Sequence, residues 1–207
     1  MEFEFFITSF VALFIIIDPI GITPVFITLT QGMDKKARRI IALRSITVSA
    51  FIILLFIIFG EPVLGFIGIS MPAFRIAGGI LLFLTALDML FQRRSKRREN
   101  QNEKELLDDP SVFPLAIPLI TGPGAIATVI LIAGSKPGLV GIISTGIIST
   151  LVLFAVFVFF SAADGIERLL GKTGIDVLTR LLGMLLAALS VQFVIEGIID
   201  FFPIKSE

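Results

Sequence analysis

The 207-residue chain contains no cysteine, no histidine, no tryptophan and no tyrosine. Without cysteine there is no disulfide framework and no thiolate chemistry. Without either cysteine or histidine, the usual zinc sites and a Ser–His triad are excluded. Without tyrosine and tryptophan, an interfacial aromatic belt has to come from the 21 phenylalanines. Charge is scarce as well. Charged residues make up 16% of the chain, against roughly 25% in a typical soluble domain. The 17 basic and 17 acidic residues cancel, so net charge points to no nucleic acid or other polyanionic partner. What the chain has in excess is apolar surface: 56% hydrophobic residues and a mean hydropathy of +1.01. A soluble fold of this length could not hide that much, whereas a bilayer accepts it. The start, Met1-Glu2-Phe3-Glu4, lacks the basic region of a cleaved signal peptide, so the first apolar run is expected to be a retained span.

A helix needs about 20 apolar residues to cross the hydrocarbon core. Six runs meet that length: Phe5–Leu29, Ser45–Ile67, Pro72–Phe91, Val112–Ala133, Leu139–Ala162 and Val177–Ile199. The second run can be extended back to near Ile40. None alternates polar and apolar residues as a lipid-facing barrel strand would, so helices are expected. The polar punctuation is lopsided. Lys35, Lys36, Arg38, Arg39 and Arg44 precede the second run. Six more basic residues lie within 92–109, and Arg168 and Lys172 lie before the sixth run. The alternate side has Lys136 and Lys205. The positive-inside rule therefore puts the first, third and fifth linkers in the cytoplasm and both termini outside it. The 92–109 stretch is expected to be a mobile loop and the hinge between two halves.

The halves look related. Arg75-Ile76-Ala77-Gly78-Gly79 and Arg180-Leu181-Leu182-Gly183 align at one offset, which also superposes Thr85 on Ser190. The stretch from Ile17 (IDPIGITPVF) matches the stretch from Ile117 (IPLITGPGAI) in the same way. Chance alignment of apolar runs is the alternative. Each half has three spans, an odd number, so related halves must sit inverted in the membrane, an architecture typical of secondary transporters. The expected fold is an all-α membrane protein of six transmembrane helices in two inverted three-helix repeats. Residues 1–91 and 112–207 form the repeats, and 92–111 form the polar cytoplasmic linker.

Two clusters interrupt the apolar runs. In the first, Asp18-Pro19-Ile20-Gly21-Ile22-Thr23-Pro24, Pro19 pushes Asp18 away from helical dihedrals. Thr23-Pro24 reads as an N-cap followed by proline at the first helical position, predicting a half-helix that begins at Pro24. A simple proline kink is the alternative, but a buried Asp needs a partner or a water-filled cavity. In the second, Pro118-Leu119-Ile120-Thr121-Gly122-Pro123-Gly124 again puts a helix start after a proline-interrupted segment. Broken helices at matching places point to a midplane binding site. Half-helix N-termini suit a carboxylate and freed carbonyls suit an ammonium or a cation, so a zwitterionic amino acid would use both. The candidate substrate contacts are Gly21, Ile22, Thr23, Thr121, Gly122 and Gly124, with Asp18 as the contact for an ammonium, a coupling ion or a proton.

Other polar residues have plainer readings. Asp88 fits the cytoplasmic interface, and Glu196 fits a solvated position near the outer end of the last span. Arg75 and Arg180 fit a structural role, and Gly78, Gly79 and Gly183 fit close helix packing. The basic 93–98 run sets topology, with contact to anionic lipid a second use.

These motifs together resemble the MarC family of bacterial and archaeal inner-membrane proteins, also called the neutral amino acid transporter family. The resemblance rests on DPIGITPVF at 18–26, RIAGGILLFLTALDML at 75–90, PLITGPGAI at 118–126 and RLLGMLLAALSVQF at 180–193. It implies six spans in the inner membrane and transport of small neutral amino acids such as glycine and alanine, with coupling to protons or Na⁺. Two positions depart from the family pattern: Ile22 stands where Asn is frequent, and Thr121 where Ala is frequent. The expectation is an alternating-access transporter, not an enzyme, with no cofactor and no metal. Its partners would be a neutral amino acid, a coupling cation and membrane lipid, and homo-oligomer formation is left open. The alternative is an exporter or channel for another small solute or a cation.

Overall fold

The computed structural model describes residues 2–91 and 109–202. Most of the loop expected at 92–109 lies outside the described residues. The described chain is helical: α1 (Glu2–Ile17), α2 (Pro19–Leu29), α3 (Lys35–Ile67), α4 (Met71–Leu90), the π-type helix α5 (Ser111–Ile120), α6 (Pro123–Gly134), α7 (Gly138–Ser161) and α8 (Ala163–Phe201). Among the described residues five stretches are long and apolar enough to cross a membrane, the first being α1 and α2 taken together. There are six if α5 and α6, bent by 58° at their junction, make one span.

Local chemistry sets the ends. Asp34 starts α3, its carboxylate accepting the Ala37 N–H at 2.7 Å. Gly68, at φ 85°, ends it in the left-handed conformation that glycine adopts without strain. Over 33 residues this helix is roughly 50 Å long, more than the ~30 Å hydrocarbon core. It begins three turns earlier than the apolar run, so Lys35 to Arg39 stand clear of the spanning part. In α8 the backbone breaks at Gly171, φ 61° and ψ 174°, which separates a short helical stretch from the last span.

The two interrupted spans lie at the centre. In the most apolar window of α1–α2, 67% of residues are buried, against 22% for α3 and for α8. Nine residues of α6 are buried, from Gly124 to Ala133. The core joins Leu13, Ile16 and Ile17 of α1 and Ile22 and Phe26 of α2 to Ile53, Leu82, Ile120, Val129, Ile148 and Leu186. The outer helices turn large apolar side chains outward, including Phe51, Phe66, Leu139, Phe154 and Met184. That outward face is the one lipid covers. It is why hydrophobic residues are so abundant outside the core as well as in it.

The most extensive pairing is α4 against α8, antiparallel. A Cβ at Gly79 would come within 2.7 Å of Val194 and 2.8 Å of the Ser190 carbonyl oxygen, and one at Gly197 within 2.7 Å of Ile76. At the other end a Cβ at Gly183 would lie 3.0 Å from the Met89 Cβ. These glycines let the two backbones approach, as small residues do between membrane helices.

Candidate functional site

The first break is at Asp18-Pro19, one turn before the expected start at Pro24. Asp18 adopts φ 56°, ψ 64° and caps α2, accepting the Gly21 N–H on Oδ1 at 3.0 Å. Pro19 takes the first helical position, where a missing N–H breaks no helical bond. Pro24 lies inside α2. Thr23 is not a cap: its hydroxyl donates to the Pro19 carbonyl at 2.7 Å. The carboxylate outcompetes the hydroxyl because Asp tolerates the left-handed region and is the stronger acceptor for a helix N-terminus. Gly21 makes this arrangement fit, since a Cβ there would lie 2.0 Å from Asp18 Oδ2. Asp18, Ile22 and Thr23 are all fully buried.

The second break matches the expected place. Phe113 and Ile117, each before a proline, have extended dihedrals, and both following peptide bonds are cis. The Thr121 N–H and hydroxyl both donate to the Ala116 carbonyl, at 2.9 and 2.8 Å. Gly122 turns the chain, and α6 begins at Pro123 with no side-chain cap. The first turn of α6 is therefore a helix N-terminus whose N–H groups no side chain caps among the described residues.

The two breaks adjoin. A Cβ at Gly124 would lie 2.6 Å from Cδ1 of Ile16, two residues before Asp18. Of the candidate contacts, Asp18 and Gly21 are joined directly, and Gly124 is brought against the first break. Thr23 and Thr121 give their hydroxyl protons to their own helices, and Ile22 belongs to the core.

Cavities lie at opposite ends of this centre. One, about 520 Å³, runs along α1 from Glu4 past Ser9 to Ala12, and is also lined by Arg75, Leu131 and Glu196. By helical rise, Ala12 stands roughly 9 Å short of Asp18. Here Arg75 pairs with Asp200 at 2.5 Å and lies 4.0 Å from Glu196. Glu196, expected to be merely solvated, accepts from Gln192 at 2.9 Å. Lys136 Nζ stands 4.5 Å from the centroid of the Phe5 ring.

The other end is built differently. The Phe26 and Phe160 rings stack at 4.2 Å and 6°. The Arg38 guanidinium lies 5.7 Å over Phe26 and its Nη1 donates to both carboxylate oxygens of Asp164, at 2.9 and 3.1 Å. A cavity of about 250 Å³ lies beside this latch. Nearby, Arg44 pairs with Asp109. The Ser111 N–H, which donates to Asp109 Oδ1 at 3.0 Å, and Arg44 hold the Asp109 carboxyl below the ordinary carboxylate value. The latch is absent from the sequence reading. Arg38 and Asp164 are 126 residues apart, and each looks like one more charge in a polar linker.

The model of the MarC family of integral membrane proteins matches residues 3–202. The chain belongs to the MarC family. Relatives in that family span nearly its whole length. A UPF0056 membrane protein of Aquifex aeolicus is 38% identical over 93% of this chain and 92% of its own. UPF0056 membrane protein YvbG of Bacillus subtilis is 35% identical over 99% of both chains. UPF0056 membrane protein YhcE of Escherichia coli is 35% identical over 98% of this chain and 95% of its own. No solved structure matches the chain. The MarC assignment and the apolar helices together make this a multi-pass integral membrane protein.

Proposed function

We propose that this MarC protein is a secondary transporter that moves a small neutral amino acid by alternating access. The observation that carries the reading is the contact between the two breaks, Gly124 against Ile16, in the buried centre of the molecule. A break inside a membrane span frees backbone groups that lipid cannot satisfy, and spans are broken where those groups have a task. The uncapped start of α6 suits a carboxylate, and the buried Asp18 carboxylate suits an ammonium, a cation or a proton. The unequal ends support the same reading: a 520 Å³ cavity on one side of the breaks, and a stacked Phe pair with an ion-pair latch on the other. In this reading the larger cavity is the open side of the carrier.

In this reading the halves are inverted repeats. Each supplies a broken span, a long helix and a third helix, and the third helices, α4 and α8, carry Arg75 and Arg180 at matching places. The latched end, with Lys35, Arg38 and Arg39, faces the cytoplasm of a cell's inner membrane, and the termini lie on the far side.

The test is counterflow in proteoliposomes. Vesicles preloaded with unlabelled glycine, alanine or serine should accumulate the labelled amino acid transiently, and uptake should saturate. Conduction without saturation or counterflow would replace the carrier with a channel. Counterflow of another solute alone would remove the amino acid assignment. Binding is checked separately, since a ligand at 100 times its Kd stabilises by about 2.7 kcal/mol.

A further inference from the structure

We propose that the cavity beside the Arg38–Asp164 latch is a binding site for a phosphate group. It opens among Lys35, Arg38, Arg39, Ser161 and Asp164, with a volume of about 250 Å³. Among the described residues three cations face one carboxylate there, and that carboxylate is already engaged: a single nitrogen of Arg38, Nη1, serves both of its oxygens. The Arg38 Nε is buried and has no hydrogen-bond partner among the described residues. The Arg38 guanidinium borders the cavity, and Arg is the side chain best shaped to meet phosphate oxygens. The Phe26 ring under the guanidinium and Asp164 at its tip hold it in place. The other acidic group at this helix start, Asp34, is occupied by the Ala37 N–H at 2.7 Å. Among the described residues that line the cavity, the charge is carried by Lys35, Arg38 and Arg39 against Asp164, with Lys35 and Arg39 exposed. A phosphate, with several oxygens and one to two negative charges, can meet all three cations at once. The cavity lies where α3 and α8 begin, at the polar end of two membrane helices, so either a lipid headgroup or soluble phosphate can reach it. The bound group would share Arg38 with Asp164 and so stand against the latch. Nothing in the proposal depends on which solute the chain moves.

The test uses the full chain in maltoside micelles, following thermal unfolding. At constant ionic strength, sodium phosphate is titrated against sodium chloride. Separately, phosphatidylglycerol is titrated against phosphatidylcholine in mixed micelles. A saturable rise in Tm with phosphate, with phosphatidylglycerol or with both is the expected result, and the responding arm names the source. Lys35→Gln and Arg39→Gln, at exposed positions where folding is safe, should each weaken the midpoint about tenfold. Lys36→Gln, next in sequence but outside the cavity, should leave it unchanged. An equal loss in all three variants would reduce the effect to a basic surface. No saturable response to either anion, or the same response to chloride or phosphatidylcholine, would also overturn the proposal.

Discussion

Asp18 and Gly21 compete for one volume. The carboxylate of Asp18 folds over the start of α2 and takes the Gly21 N–H at 3.0 Å, and a Cβ on residue 21 would lie 2.0 Å from its Oδ2. The obstacle is a short, buried side chain held by a hydrogen bond, so it cannot swing aside freely. Gly21→Ala should therefore displace the cap and destabilise the protein by about 1–3 kcal/mol, the usual range for overpacking. The control is Gly65→Ala, a helical position where an added Cβ meets nothing within 4 Å. Thermal unfolding in detergent should show a clear loss for the first and a change within about 0.5 kcal/mol for the second. Equal behaviour would mean that the Asp18 cap does not define the break.

How far the sequence foretold this centre depends on the kind of signal. Proline and glycine act locally, so both interruptions were legible from Pro19, Gly21, Pro118 and Gly122. The exact start of α2 was not. Thr23-Pro24 and Asp18-Pro19 are both acceptable cap–proline pairs, and a carboxylate beats a hydroxyl only once Gly21 is seen to leave it room. Glycines at helix contacts were legible in Gly78 and Gly183, which a repeated spacing marked, and in Gly79 beside the first of them, and illegible in Gly197, which nothing marked. The Arg38–Asp164 latch and the Phe26–Phe160 stack join residues far apart in the chain. No local pattern could have paired them.

Asp18→Asn separates the structural role of this residue from an ionic one. Asn tolerates the left-handed conformation and caps helices about as well as Asp. The variant should therefore unfold close to the wild type, while Asp18→Ala, which loses the cap, should be less stable by about 0.5–2 kcal/mol. If Asp18 carries the coupling ion or proton, the Asn variant should also lose the dependence of uptake on Na⁺ or pH in proteoliposomes. Uptake with the wild-type ion and pH dependence would leave Asp18 as a cap alone.

Acid should reach the protein through Asp109. Its carboxyl titrates below the ordinary 3.8, held there by the Ser111 N–H and by Arg44. A group depressed in the folded state stabilises the fold at pH values above its unfolded value and loses that contribution as pH falls through the folded one. The ion pair is largely solvated, so the effect is small. Asp109→Asn should lower Tm slightly at pH 7, and the difference from the wild type should shrink as pH drops below about 4. A gap that persists undiminished at low pH would show that the loss is not electrostatic.

The latch offers the most direct view of a conformational change, because the chain has no cysteine of its own. Arg38→Gln and Asp164→Asn each remove the ion pair that ties the start of α3 to the start of α8, while Phe26 and Phe160 remain. A single cysteine at Ala42, buried at 2% exposure and lining the cavity beside the latch, reports whether that end opens. In membranes exposing the basic end to a membrane-impermeant maleimide, Ala42→Cys should label slowly in the latched protein. Labelling should be several-fold faster with either latch variant, since one exposed or half-buried ion pair is worth roughly 0–1 kcal/mol of a two-state balance. A cysteine at Ser9, in the cavity at the other end, should move the opposite way and label more slowly as the balance shifts. Faster labelling at both positions would mean loosened packing, and unchanged labelling at both would mean that the ion pair holds no gate. Opposite changes at the two ends are the signature that a carrier requires.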